Sequence, residues 1–144
     1  MKPINILINP VTLIGSFCLI LISGEKTGGI YFIYLLMGLI GAYLHSFSAV
    51  VGVSAILVAD RFKDNRTLRY LLKLVGALLL PLSLLLFFQN NTSYYNWVTF
   101  SRTTSQVTLV LFSFFWLGYV SKVVISMIRQ LLRKSGNSAS MLSI

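Results

Sequence analysis

Charge is what this chain has least of: among 144 residues only three are acidic and twelve are Lys or Arg, with a single histidine and a single cysteine. Three carboxylates, Glu25, Asp60 and Asp64, leave few mechanisms open. Paired-acid hydrolysis needs two carboxylates on one substrate, and a Ser-His-Asp type nucleophile needs one to orient its imidazole. All three lie in predicted loops, so the expectation is a chain that is not an enzyme. Cys18 stands alone inside an apolar run, with no partner for an intrachain disulfide or a metal cage, and reads as a packing residue. No residue pattern names a cofactor.

Apolar sequence is what the chain has most of: 56% of residues are hydrophobic and 10% charged, against roughly 25% charged in a soluble domain. The charges fall in clusters separated by long uncharged runs, a distribution that lipid explains and water does not. The net charge of +9 would suit nucleic acid, but the bases sit at the ends of apolar runs, as the positive-inside rule requires, so no nucleic-acid partner is expected. Lys2 followed by Val11 to Ile22 has some look of a signal peptide. Asn5, Asn9 and Pro10 interrupt it and Ile22-Ser23-Gly24 is a poor cleavage site, so the first helix is read as retained.

A helix needs about 20 apolar residues to cross a core about 30 Å thick. Four segments qualify, at 4–23, 30–59, 70–88 and 103–128, the last with a basic amphipathic extension to 134. The predicted fold is an all-α integral membrane protein, a single bundle of four transmembrane helices over 1–134 with a flexible tail at 135–144. Pro10 marks a start or a break in the first helix, and Pro81 predicts a kink in the third. The second run exceeds the bilayer and must tilt, kink or project. Asp64 or Asn65 is a plausible cap for the third helix, where Lys73 snorkels to the headgroups.

Lys2, Arg61, Lys63, Arg66, Arg69, Lys73, Lys122, Arg129, Arg133 and Lys134 fall on one side of this bundle, leaving Lys26 and Arg102 on the other. Both termini are therefore expected in the cytoplasm, in a plasma (inner) membrane. The outer loop carries Tyr94, Tyr95, Trp97 and Phe100 at headgroup level, and the overlapping sequons of Asn90-Asn91-Thr92-Ser93. Arg61, Lys63, Arg66, Arg69, Arg129, Arg133 and Lys134 are expected to contact anionic lipid.

One pattern in the second run is more specific. Gly38, Gly41, His45, Ser48, Gly52 and Ala55 recur at helical spacing as a small or polar stripe, the kind of surface on which helices associate in lipid. It predicts contact with protein, within the chain, with copies of itself or with a partner. His45 falls at the middle of that run, where a histidine is either a packing residue hydrogen-bonded to Ser16, Ser83, Gln106 or Ser113, or a heme ligand, quinone contact or proton carrier. One histidine cannot supply both axial ligands of a heme, which leaves the packing role as the expectation.

Small four-helix proton-coupled exporters resemble the chain in length and span number but work through a membrane-embedded carboxylate, which Glu25, Asp60 and Asp64 do not provide. Phage holins resemble its general layout through composition alone. The functional expectation is an accessory, scaffolding or assembly subunit of a larger membrane complex. The alternatives are a homo-oligomeric pore or small permease and, behind that, a heme- or quinone-associated anchor.

Overall fold

The computed structural model describes residues 9–23, 28–90 and 99–141, with backbone alone for Asn90 and 133–141. It is 85% helical. Lys2, Glu25, Lys26, the sequons beyond Asn90, and Tyr94, Tyr95 and Trp97 lie outside the described residues. Among the described residues three helical stretches are long and apolar enough to cross a membrane, Leu44–Arg61, Arg66–Gln89 and Thr103–Leu132.

The first predicted span differs most. Helix α1 covers Pro10–Cys18, starting where Asn9 Oδ1 accepts from Val11 N at 3.0 Å and Pro10 occupies the first turn, a position where its missing N–H costs nothing. Nine residues rise only about 13 Å, less than half of the hydrocarbon core. The chain then turns into a short antiparallel hairpin, β1 (Leu21–Ser23) with β2 (Gly28–Ile30), in the register Leu21 with Ile30, Ile22 with Gly29 and Ser23 with Gly28. Part of the stretch expected to finish a helix is therefore strand.

A hairpin of three-residue strands at the edge of a bilayer is viable only if its outer edge finds donors and acceptors. Hydroxyls supply them. Leu21 N donates to Thr108 Oγ1 at 3.1 Å, and Thr99 Oγ1 both accepts from Ser23 N at 3.2 Å and donates to Ser23 O at 3.0 Å. Ser23 Oγ and Ser105 Oγ lie 2.6 Å apart.

The thirty-residue second run is broken. Helix α2 (Tyr31–Ile40) stops, three residues turn, and α3 (Leu44–Val58) begins, closed by a 3-10 turn at Ala59–Arg61. At the break Tyr43 N donates to Gly38 O at 2.8 Å and Ala42 N to Leu39 O at 3.3 Å. Those two bonds form a Schellman cap. Its left-handed position, usually glycine, is held by Ala42 at φ 55°, a conformation costing an L-residue about 1–2 kcal/mol.

Helix α4 (Arg66–Asn90) starts on Asn65, whose Oδ1 accepts from Leu68 N at 3.1 Å. Lys73 pairs with Asp60 at 2.7 Å rather than reaching the headgroups alone. The last helix, α5 (Thr103–Met141), runs on through the stretch read as a tail.

Pro81 lies inside α4. Its ring removes the N–H that would bond the carbonyl four residues back, at Ala77. Trp116 of α5 donates its indole N–H to that carbonyl at 2.7 Å. The proline thus creates an acceptor and the tryptophan fills it, fixing the register of α5 on α4.

The α3–α4 pair is the most extensively packed in the chain. A Cβ built on Gly52 would lie 3.0 Å from Gly76 O, and one built on Gly76 would lie 2.6 Å from Gly52 O and 2.8 Å from Ile56 Cγ1. The two glycines face each other backbone to backbone, and Ser48 Oγ donates to Leu79 O at 3.2 Å across the same contact.

The indole–carbonyl bond gives a direct test. Trp116→Phe leaves Ala77 O without its donor and is expected to lower stability in detergent by about 1–3 kcal/mol. Adding Pro81→Ala restores the backbone N–H, so the double variant is expected to recover much of that loss. A double-mutant cycle of thermal unfolding checks this; strict additivity would refute the pairing.

Candidate functional site

The elements converge at the end of the bundle where α2 meets α3. Phe17 of α1 lies edge-on to Tyr31 of α2 at 5.3 Å between centroids and against Phe112 of α5 at 5.6 Å. Phe87 of α4 takes edge contacts from Tyr31 at 5.3 Å, Tyr34 at 5.5 Å and His45 at 5.2 Å. Beneath the rings runs a buried relay. Ser83 Oγ gives its one proton to His45 O at 2.7 Å, so Tyr31 O–H must be the donor in its 2.9 Å contact with Ser83 Oγ.

His45 sits in the first turn of α3, and its ring folds back over α2. A Cβ on Gly38 would stand 2.7 Å from Nε2 and would also strike Ser46 Oγ, so only glycine leaves room. Tyr43 stacks on the imidazole at 5.8 Å and 18°. His45 is 7% exposed and its imidazole shares a hydrogen bond with the Tyr34 backbone, but neither Nε2 nor the fully buried Ser46 Oγ has a hydrogen-bond partner. Beside them opens a crevice of about 250 Å³ lined by Leu44, His45, Leu86 and Gln89.

Two expectations about His45 change. It does not lie halfway along a span: the break at 41–43 makes it the head of α3, level with Phe87 and the end of α4. Gly41, Ala42, Tyr43 and Leu44 are all exposed, and His45 is the second residue of the apolar stretch Leu44–Arg61 rather than the middle of one. None of the four residues expected to bond the ring does so in the bonds found. Ser83 takes the His45 carbonyl, while Ser16, Gln106 and Ser113 donate to Leu13 O, Phe100 O and Leu109 O.

The break also divides the stripe. Gly38 is buried under His45, and Gly41 is exposed at the turn. Ser48 and Gly52 face α4, and Ala55 is half-buried. Residues that sequence reasoning passed over do much of the joining: Gly76, Trp116 and the Thr99, Ser105 and Thr108 hydroxyls. Their one visible signal was polar or small character inside apolar runs.

At the opposite end, Arg61, Lys63, Arg66 and Arg129 are exposed, and the Arg69 guanidinium lies 5.2 Å over the Tyr70 ring. The side chains of Arg133 and Lys134 fall outside the described residues. Arg66, Tyr70, Ser126, Arg129 and Gln130 line one crevice of about 300 Å³. Among the described residues no group of three or more His, Cys, Asp or Glu could hold a metal ion. No protein-family model matches the chain, and neither a curated protein nor a solved structure does.

The two buried serines of the His45 turn are expected to behave oppositely. Ser83→Ala orphans the Tyr31 hydroxyl and the second lone pair of His45 O, at a cost of about 1–3 kcal/mol. Ser46→Ala removes a hydroxyl that has no partner and should be neutral or stabilising. Thermal unfolding of the two variants decides it, and equal losses would contradict the relay.

Proposed function

We propose that this chain is a multi-pass protein of the plasma membrane with four membrane-inserted segments, the first of them containing α1. Both termini and the basic 60–69 loop face the cytoplasm. It works as an accessory subunit that seats a larger membrane protein on α5. The asymmetry of ten bases against Lys26 and Arg102 supports the orientation.

The observation that carries the accessory role is how little of α5 its own chain covers. Only 17% of its span window is buried, against 33% for each of the other two spans. Val107, Val110, Phe114 and Leu117 form a continuous exposed row along it. The small-residue stripe favours this reading over a pore between copies, because Ser48 and Gly52 already face α4 within the chain.

A second reading has one specific observation behind it. The unpartnered Nε2 of His45 beside a crevice of about 250 Å³ suits a ligand that offers a hydrogen bond, such as a quinone carbonyl, or an iron porphyrin held by one axial nitrogen. The absorption spectrum and organic extract of protein from native membrane test it.

Lipid alone would also satisfy an apolar face, so the accessory role is tested by contact chemistry. A photocrosslinking residue at Val110 or Leu117 should give a protein adduct of constant mass in intact cells. The same residue at Val51 or Val58, on the outward face of α3, should give none. Lipid adducts alone at all four positions would overturn the proposal. In the same cells with Cys18→Ser, an impermeant thiol reagent should reach Gly41→Cys and not Asn65→Cys; the reverse pattern would invert the orientation.

A further inference from the structure

We infer that the crevice between the start of α4 and the 126–130 turn of α5 is a binding site for the phosphodiester headgroup of an anionic phospholipid. This rests on the chain being membrane-inserted, and on neither the accessory role nor which side is cytoplasmic.

Two arginines, Arg66 and Arg129, line one space of about 300 Å³ together with Tyr70, Ser126 and Gln130, and none of the lining residues is acidic. Two guanidinium groups sharing a concavity repel each other unless an anion lies between them. Among the described residues no carboxylate lines that place, and Asp60 is paired with Lys73 at 2.7 Å. A guanidinium presents paired N–H donors matched to phosphate oxygens, and Ser126 adds a hydroxyl donor.

The site also carries an acceptor. Gln130 Nε2 leans on Thr67 Oγ1 at 3.4 Å, while Gln130 Oε1 is buried with no partner. An ionised phosphodiester carries no proton for that oxygen, whereas a headgroup bearing hydroxyls, as phosphoglycerol does, would donate to it. Nearby Arg69, held over Tyr70 with its Nε buried and unpartnered, adds positive potential at the rim.

Position within the membrane completes the case. Arg66 opens one span and Arg129 lies near the end of another, so the crevice stands at headgroup depth. Exposed Leu71 and Ile125 continue from it toward the membrane centre, where the acyl chains of a lipid seated in the crevice would run. A free anion would leave that apolar surface unused.

The test is native mass spectrometry of the full chain in detergent with equal amounts of phosphatidylglycerol and phosphatidylcholine. One phosphatidylglycerol per chain should be retained with roughly 30-fold preference, the about 2 kcal/mol that two arginines at an anionic headgroup supply. Arg66→Gln with Arg129→Gln should bring the preference close to parity. Arg61→Gln with Lys63→Gln, which alters the same net charge on the exposed loop, should keep it. Ser126→Leu, which fills the crevice and retains every charge, should also lose it, and serves if the double arginine variant does not fold.

Equal losses from the loop pair and the crevice pair would overturn the site in favour of diffuse attraction. Displacement of the lipid by inorganic phosphate would overturn the lipid as its ligand. Recovery of the chain from the soluble fraction without detergent would instead defeat the membrane reading beneath it.

Discussion

The packing of α3 on α4 depends on a close approach between two glycines, Gly52 and Gly76. With Gly52 and Gly76 facing each other, α3 and α4 meet backbone to backbone, closer than any pair of larger residues would allow. Lipid tails give apolar helices no reason to prefer one another, so association depends on this kind of close packing and on hydrogen bonds. Both appear here together. Ser48 reaches the Leu79 carbonyl and Ser83 reaches the His45 carbonyl from opposite helices, in successive steps along the pair from the glycine contact. Neither short side chain would bridge helices held further apart.

A second constraint explains the residues that bind the remaining elements to this pair. Inside a bilayer a backbone group without a partner costs several kcal/mol, so each irregularity must be answered from elsewhere in the chain. Pro81 frees the Ala77 carbonyl and Trp116 answers it. The hairpin exposes the edge of β1, and Thr99, Ser105 and Thr108 answer that. The α2–α3 break is closed by its own Schellman bonds and lies at the surface. Polar side chains in this protein are therefore mostly structural partners of backbone. Of the exceptions, His45 Nε2 and Gln130 Oε1 lie at the two crevices where binding is proposed.

The spans at 66–89 and 103–132 were legible because a crossing helix announces itself in one dimension, as an uncharged apolar run bounded by bases. The cap at Asn65 was legible for the same local reason. The break at 41–43 was not. Its left-handed residue is Ala42, and the adjacent Gly41, which a reader takes as part of a packing stripe, holds ordinary backbone angles at φ −81°. Strands of three residues are too short to show alternation, so the hairpin read as the end of a helix and a loop. Trp116 and Pro81 meet through tertiary register, which no local pattern carries. His45 was read as the middle of a helical run by counting along an unbroken stretch, and the break makes it the head of α3.

Whether the glycine stripe is spent within one chain or joins separate chains is the point on which these conclusions turn. An ideal Cβ on Gly52 lies 3.0 Å from Leu79 Cβ, near the roughly 3.8 Å that a disulfide spans between Cβ atoms. Mild oxidation in native membranes of a chain carrying Cys18→Ser, Gly52→Cys and Leu79→Cys measures the contact directly. Intramolecular packing gives a disulfide within the monomer, seen as a reducible mobility shift at monomer mass and absent when Leu85→Cys replaces Leu79→Cys. Disulfide-linked dimers in place of that product would show that the stripe joins copies of the chain and would contradict the packing described above.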